Sequence, residues 1–491
     1  MNAVTELAPA RYLSFAEARR VISGILLAMF LAALNQTIVA TALPTIGRDL
    51  ADFENLSWTV TAYLLTSTVV ASLYGKLSDI HGRRAMMLTA IGIFVVGSTI
   101  CALAPNMLTL VLGRGVQGLG GGGIMPLAQV IVGDVSPPRE RGRYQAIIGI
   151  VWVGAGIGGP VLGGFVAEHL AWPLIFWINV PLGIGAAVLT NAALKRLPRN
   201  DRWHELDIVG AGLMMAGAIA LLLGLTWGGT RFPWGSPQII GLFALAAAFA
   251  AAFRWRIAYA KEPYLPLPIL RNPVVLMGAA ASACAVGASI GLTVFVPFYY
   301  QLVHKLSVAD SGLALIPIAV MTTPGSIMAG RAMMFLTHYK RVSLVCMALA
   351  IAANAYLAWR PASSPWLVMV ALALVGTGVG SVFPLSTVCI QNAVAPHQMG
   401  IATGVMNFFR ALTASLVVAV MGAIMLAGFG VAAEHGRNAE ALIAAGVAAG
   451  DAADVFRWVF AASTCFLLVG LAALIRLAEQ PLRGGSGRGT A

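Results

Sequence analysis

Four stretches carry polar or charged side chains that could do chemistry. LNQTIVATALP, Leu34 to Pro44, sets the amide pair Asn35–Gln36 inside an apolar run that begins near Val21. LVLGRGVQGLGGGG, Leu110 to Gly123, carries Arg114 and Gln117. NFFRALTAS, Asn407 to Ser415, carries Asn407 and Arg410. GKLSDIHGRR, Gly75 to Arg84, lies between two apolar runs and sets Asp79 beside Arg83 and Arg84. These types can move or hold charge. A cation inside an apolar span costs roughly 2.5–3.5 kcal/mol on insertion scales, so Arg114 must face protein or a wet cavity. A purely structural arginine, capping backbone carbonyls, is the plainer reading. A proton carrier would need a carboxyl at depth. Of the 19 acids none lies in the middle of an apolar run. The nearest are Glu168, Asp207 and Asp310, all at run ends.

The elements that must hold these residues are membrane helices. Hydrophobic residues make up 59% of the 491, and charged residues only 10%. A soluble surface of this size needs far more charge. Apolar runs of about 20 residues recur, each long enough to cross a ~30 Å hydrocarbon core. The pattern predicts an all-α integral membrane protein with fourteen spans, near 21–42, 57–76, 85–104, 108–132, 144–167, 173–194, 207–226, 237–257, 274–300, 311–335, 342–359, 364–388, 401–428 and 455–476. The seventh and eighth rest on the weakest pattern, since the WGGTRFPWGS loop between them is short and aromatic.

Lysine and arginine set the orientation. The connections after odd-numbered spans hold Arg48, Arg231, Lys305, Arg360, Arg437 and Arg457. The termini and the even connections hold nearly all the rest, Lys76, Arg139, Arg141, Arg143, Lys195 and Arg196 among them; Arg114 and Arg410 alone fall well inside spans. Both termini are therefore expected in the cytoplasm. This placement also accounts for the net charge of +12 without nucleic acid. The 429–454 connection is expected outside, its AEALIAAGVAA core a short surface helix; the RGGSGRGT tail is expected to be disordered. The five cysteines lie in or beside apolar runs with no metal-type spacing, and no cleavable signal is evident. No metal, cofactor or nucleotide site is implied.

The loop supplies more than a turn. Gly75 and Gly82 permit a tight reversal. Asp79 can accept from helix-terminal N–H groups. This spacing resembles the G-x-L-(A/S)-D-x-x-G-R-(K/R) loop of the major facilitator superfamily. Leu110 to Gly123 resembles that superfamily's span-4 signature, L-x-x-x-R-x-x-Q-G-x-G. GIGGPVLGG, Gly156 to Gly164, resembles the span-5 antiporter motif, with Ala155 in place of its first glycine and Gly154 alongside. LNQTIVATALP resembles the span-1 motif of the fourteen-helix drug:proton antiporter family, and LSWTVTAYLL and FPWGS fit the same family. The resemblance covers the whole chain. It implies two pseudo-symmetric six-helix bundles, 21–194 and 274–476, with two inserted linker helices in 195–273, a cytoplasmic segment 1–20 and a tail 477–491. It implies a gate at Gly75, Asp79, Gly82, Arg83 and Arg84, and a bundle interface at Gly154, Gly158, Gly159, Pro160, Gly163 and Gly164. GRAMMFLTHYKR, Gly330 to Arg341, resembles a decayed second copy of the loop, without its acid.

The same resemblance makes Arg114 a partner in proton coupling and calls for an acid where this chain has Asn35. At 1.5 Å per residue, Asn35 and Arg114 both lie roughly 10 Å from the outer face. Asn35 is thus expected to face Arg114 in a central cavity. Asn has nearly the shape of a protonated Asp but cannot ionise. Either the residue replaces an acid as a mimic of its protonated form, or it is native and coupling is altered or absent. Candidates for the cavity wall are Gln36, Tyr63, Gln117, Trp152, Phe295, Phe298, Tyr299, Asn407 and Arg410. The expected function is export of an amphipathic small molecule, cationic or neutral, in exchange for protons, by a monomer in the cell's inner membrane. A lipid precursor or siderophore is the rival cargo. A membrane receptor or enzyme on the same scaffold would need a catalytic cluster or soluble module, and the sequence offers neither.

Overall fold

The computed structural model describes residues 15–52, 55–195, 207–260, 263–429 and 449–482. The RGGSGRGT stretch lies outside the described residues, as does the expected surface helix but for its last residue, Ala449. Residues 477–482, expected to belong to a disordered tail, are instead held in place: Leu477 and Leu482 are buried, the Gln480 carbonyl accepts from the Tyr339 hydroxyl and Glu479 accepts from Lys340 N. Every regular element among the described residues is helical. Fourteen long helices follow in order: α1 Phe15–Asp49, α2 Trp58–His81, α3 Arg83–Ala102, α4 Met107–Val135, α5 Pro138–His169, α6 Asn179–Leu194, α7 Ile208–Trp227, α8 Pro237–Tyr259, α9 Pro273–Val303, α10 Ile316–Phe335, α11 Lys340–Trp359, α12 Pro365–Asn392, α13 Met399–Gly428 and α14 Ala449–Arg476. All but α2 belong to segments long and apolar enough to cross a membrane. Helix α2 is equally long, but its serines, threonines, Lys76 and Asp79 dilute its apolar character.

Local chemistry fixes several ends. Asn106 caps α4 by accepting from Thr109 N at 2.9 Å, and Asp207 caps α7 by accepting from Gly210 N at 3.0 Å. Such caps satisfy donors that the first turn leaves unpaired. The predicted 173–194 span is broken: a single turn, Leu174–Trp177, precedes α6. Pro181 explains the break, since it has no N–H to offer the carbonyl of Trp177. Gly82 sits between α2 and α3 with φ +88°, a conformation that L side chains rarely adopt.

The packing repeats with an offset of eight helices. Helix α1 packs on α5 as α9 packs on α13; α2 on α4 as α10 on α12; α3 on α6 as α11 on α14. Two seams join the repeats, α2 against α13 and α5 against α10, and they too are related by that offset. Helices α7 and α8 pack on each other, with α7 also touching α2 and α13.

Candidate functional site

Asn35, Gln117 and Arg114 meet in one sealed cluster. Gln117 Oε1 accepts from Arg114 Nη1 at 2.6 Å, and Gln117 Nε2 donates to Asn35 Oδ1 at 3.1 Å. Ser98 Oγ accepts from the same Gln117 nitrogen at 2.6 Å, and Asn179 Nδ2 donates to Asn35 Oδ1 at 3.1 Å. Arg114 Nε donates to the Thr59 carbonyl at 2.8 Å, and the guanidinium carbon lies 4.4 Å from the Tyr63 ring centre. Residues 114 and 117 share a helix face, which places Gln117 between the arginine and Asn35. The expected direct pairing across a cavity is therefore replaced by a bridged one. Asn35 is 0% exposed and Arg114 1%, so neither is on a cavity wall.

Asn35 fits this site imperfectly. Its oxygen accepts twice, while among the described residues its Nδ2 makes no hydrogen bond of normal geometry and has only the Tyr63 side chain within its reach. An unmade buried hydrogen bond costs about 1–3 kcal/mol. An ionised carboxyl only accepts and would carry no such idle donor.

A cavity of about 170 Å³ lies next to this cluster. Its wall includes Gln36 from α1, Tyr63 and Ser67 from α2, Met125 from α4, Trp152 from α5 and Asn407 from α13. The wall residues of α2 (Tyr63, Leu64, Ser67, Thr68 and Ala71) follow helical spacing, so one stripe of the helix faces the space. Tyr63 belongs to both features: one face of its ring is near Arg114, and the residue lines the cavity.

Other expected wall residues sit elsewhere. Tyr299 is fully buried in the α9–α14 core, where its hydroxyl donates to the Pro361 carbonyl at 2.7 Å and Phe456 and Phe460 close on its ring. Phe295 and Phe298 pack at 6.4 Å in the same region, because apolar rings are better buried than wetted. Gln117 is held in the sealed cluster by its three bonds, to Asn35 of α1, Ser98 of α3 and Arg114 of α4. Arg410 lies behind Asn407: it is 4% exposed, bonds Ser282 Oγ and Thr387 Oγ1, and stands 4.2 Å over the Phe383 ring.

At the end of the bundle that carries the 76–84 loop, the two repeats touch. Asp79 accepts from Gly400 N at 3.2 Å and Ile401 N at 3.0 Å, at the start of α13. Those N–H groups have no partner within their own helix, and the helix dipole favours an anion there. Arg83 donates to Asp79 at 2.5 Å, to Ser78 Oγ at 2.7 Å and to Asp134 at 2.8 Å. Burial pushes the Asp79 carboxyl pKa up, against the opposing effect of Arg83 and the backbone donor. Arg84 turns away to the Asn191 side chain at 2.6 Å.

Below the loop the seam is close. A Cβ on Gly75 would lie 2.9 Å from the Gly400 carbonyl carbon; across the other seam, a Cβ on Gly142 would lie 2.7 Å from Gly330 Cα. Gly330 opens the second, acid-free loop copy, so the glycine half of that motif keeps its packing role where the charge is lost. Amides join the seams: Gln391 Nε2 donates to the Gln129 carbonyl at 3.0 Å, and Asn407 Nδ2 to Gln129 Oε1 at 2.8 Å. Tyr264, buried between α8 and α9, donates to Ser72 Oγ at 2.9 Å, while its backbone N–H reaches Asp207, which also pairs with Arg256. The inserted pair is thus tied to α2 beside the seam. Asp134, Gln129, Gln391, Asn179 and Tyr264 were not singled out from sequence. For the three amides the signal existed, since each is a lone polar group in an apolar run.

The glycines of α5 do not share one role. Gly159 and Gly163 face α1, where a Cβ on Gly163 would lie 2.5 Å from the Ile38 carbonyl oxygen. Thr37 Oγ1 donates to the Ala155 carbonyl at 2.8 Å on the same contact. Gly158 and Gly164 have no neighbour within 4 Å, and Gly154 only Phe30 at 3.8 Å. Pro160 is exposed. The expected bundle interface at these residues is therefore an α1–α5 contact inside one repeat; α5 crosses to α10 lower down, at Gly142 and Gly149. Overpacking costs typically 1–3 kcal/mol. Gly163→Leu is expected to lower the melting temperature and the transport rate, while Gly164→Leu leaves both near the parent value. Thermal unfolding in detergent, with transport in proteoliposomes, reads the contrast; equal effects of the two would refute the α1–α5 contact.

Two offset-related repeats meet around a cavity whose wall is mostly apolar, with a few polar side chains set into it. The sequence matches the Major Facilitator Superfamily over residues 25–419. The chain belongs to that superfamily. It is a multi-pass membrane transporter and not an enzyme. It is 33% identical over 411 residues to "Multidrug transporter protein MdtP" of Bacillus subtilis (strain 168), covering 83% of this chain and 75% of that one. It is also 33% identical over 414 residues to "Uncharacterized MFS-type transporter MT1926" of Mycobacterium tuberculosis (strain CDC 1551 / Oshkosh), covering 83% of this chain but 59% of that protein's length. The crystal structure of the human organic anion transporter MFSD10 (TETRAN) superposes with a TM-score of 0.63 at 16% identity, over 94% of this chain and 99% of that one, a likeness of fold.

Proposed function

We propose that this superfamily member exports amphipathic small molecules by alternating access, on a scaffold of the proton-antiporter type whose coupling is weakened by Asn35. The observation that carries this reading is the cavity of about 170 Å³, walled by both repeats and closed at one end by the α2–α13 seam. Residues 21–194 and 274–476 would be the moving bundles, with 195–273 as the linker that ties them. The loop-bearing end would face the cytoplasm, since it holds most of the lysine and arginine, and the protein would sit in the inner membrane as a monomer. Asp79 and Arg83, with Gly75, Gly82 and Arg84, would form the inner gate. Relatives named as a multidrug transporter support a drug-like cargo.

The test is transport of fluorescent amphipaths by the purified protein in proteoliposomes, with and without an imposed pH gradient. Trp152→Ala, which strips a cavity wall, is expected to cut transport by about tenfold or more, as loss of a central aromatic contact does at binding sites. Rates unaffected by this substitution would show that cargo does not pass through the cavity.

A further inference from the structure

The charge around the cavity is one-sided. No charged side chain lines it. Behind its wall stand two buried guanidinium groups, one in each repeat. Arg114 lies against the Tyr63 ring, and Arg410 Nη1 lies 3.4 Å from Asn407 Oδ1; Tyr63 and Asn407 are both wall residues. Among the described residues neither arginine has a carboxylate partner: the Arg114 contacts are a carbonyl, an amide oxygen and two rings, and the Arg410 contacts are hydroxyls, an amide oxygen, a carbonyl and one ring. Hydrogen bonds to neutral oxygens orient these cations without cancelling their charge. Described acids elsewhere are paired with other cations, Asp79 and Asp134 with Arg83, Asp207 with Arg256 and Asp454 with Arg457. Asn35, which as an acid would have offset Arg114, is neutral.

Low-dielectric walls focus such a field into the space they enclose. We infer that the cavity selects amphipathic organic anions over cations of the same shape, with neutral analogues between. A hydrogen-bond handle agrees: Gln36 can turn an amide N–H toward a carboxylate or sulfonate, whereas the Asn407 amide nitrogen is held by Gln129 Oε1 and the Thr403 carbonyl. A quaternary ammonium would meet aromatic faces at Tyr63 and Trp152, but the face of Tyr63 is already occupied by Arg114. The sequence alone had favoured a cationic or neutral cargo; the paired arginines argue for the opposite sign.

This inference rests on the cavity being the cargo site, and its test separates the two. Three probes on one scaffold suffice: an anilinonaphthalene sulfonate, phenylnaphthylamine without charge, and a trimethylammonium derivative of the same amine. Competition binding to the purified full chain is expected to rank the anion tightest, with the cation weaker by at least about tenfold, the scale over which focused fields act. Arg410→Gln should shrink the anion-to-cation ratio severalfold and leave the neutral probe nearly unchanged; Arg410→Lys should restore the ratio. Asn407→Asp, which puts a carboxylate on the wall against Arg410 and so offsets its charge while keeping both arginines, should move the ratio toward the cation even if Arg410→Gln fails to fold. Equal affinities for the three probes, or a ratio indifferent to Asn407→Asp, would overturn charge selection while leaving the cavity as the site. Binding that ignores Trp152→Ala would overturn both.

Discussion

Asp79→Asn is expected to lower transport by one to two orders of magnitude without preventing insertion. The carboxylate accepts from Arg83 and from two N–H groups that open α13, and so ties the repeats at one end only. Truncating one partner of a buried, hydrogen-bonded charge pair costs about 2–5 kcal/mol. The substitution keeps the shape of the side chain but removes the charge that draws Arg83 and the α13 dipole together. Arg83 would retain Asp134 at 2.8 Å, so the loop itself should stay folded. Parting α2 from α13 at this end would break the contacts to Gly400 and Ile401. The equilibrium should therefore shift toward the state open at the loop-bearing end, because a contact made in one state biases the population by its differential free energy. Spin labels on the loop-bearing ends of α2 and α13 would report a longer mean distance in the variant, alongside the slower transport. An unchanged distance distribution with undiminished transport from well-folded protein would refute the gate. Asp134→Asn, which leaves the cross-repeat bonds in place, should have the smaller effect.

Much of this architecture was legible because the membrane limits the choice. Runs of apolar residues can satisfy their backbone only as helices, so fourteen runs gave fourteen helices with boundaries off by several residues. The loop glycines and Asp79 were legible for a similar reason: Gly82 needs its positive φ, and an acid four residues before an arginine has little other use at a helix end. What the sequence could not give was which neighbour each glycine of α5 meets. Gly159 and Gly142 look alike in one dimension; one meets α1 and the other α10. The aromatic run at Phe295 to Tyr300 misled because ring type is blind to direction. Its rings point into the α9–α14 core, and the helix phase that decides this comes from packing partners 60 to 160 residues away. Depth along a span was readable at 1.5 Å per residue. The bridge through Gln117 was not, since depth does not say which residue stands between two others.

That bridge sharpens the second large effect, the response of the chain to Asn35→Asp. As it stands, Asn35 accepts from Gln117 and Asn179 and leaves its own nitrogen idle. An Asp keeps both accepted bonds and replaces the idle donor with an acceptor. It would lie one amide away from Arg114, whose charge favours its ionised form. Protonation would then weaken the pull on the Gln117 bridge and, through Arg114, on the Tyr63 ring that lines the cavity. A proton could thus bias which state the cavity faces, which Asn35 cannot allow because an amide does not titrate. In proteoliposomes with an imposed pH gradient, the parent protein should show weak or no gradient-driven export. Asn35→Asp should raise the gradient-dependent rate by about tenfold or more, which corresponds to a coupling of about 1.4 kcal/mol. Adding Arg114→Gln to that variant should remove the gain, because the cation that holds the carboxyl ionised would be gone. If the parent couples as fully as Asn35→Asp, the proton carrier lies elsewhere. Of the three run-end acids, Asp207 is then committed to Arg256 and the α7 cap and Asp310 accepts from Ser307 Oγ, so the exposed Glu168 becomes the residue to replace.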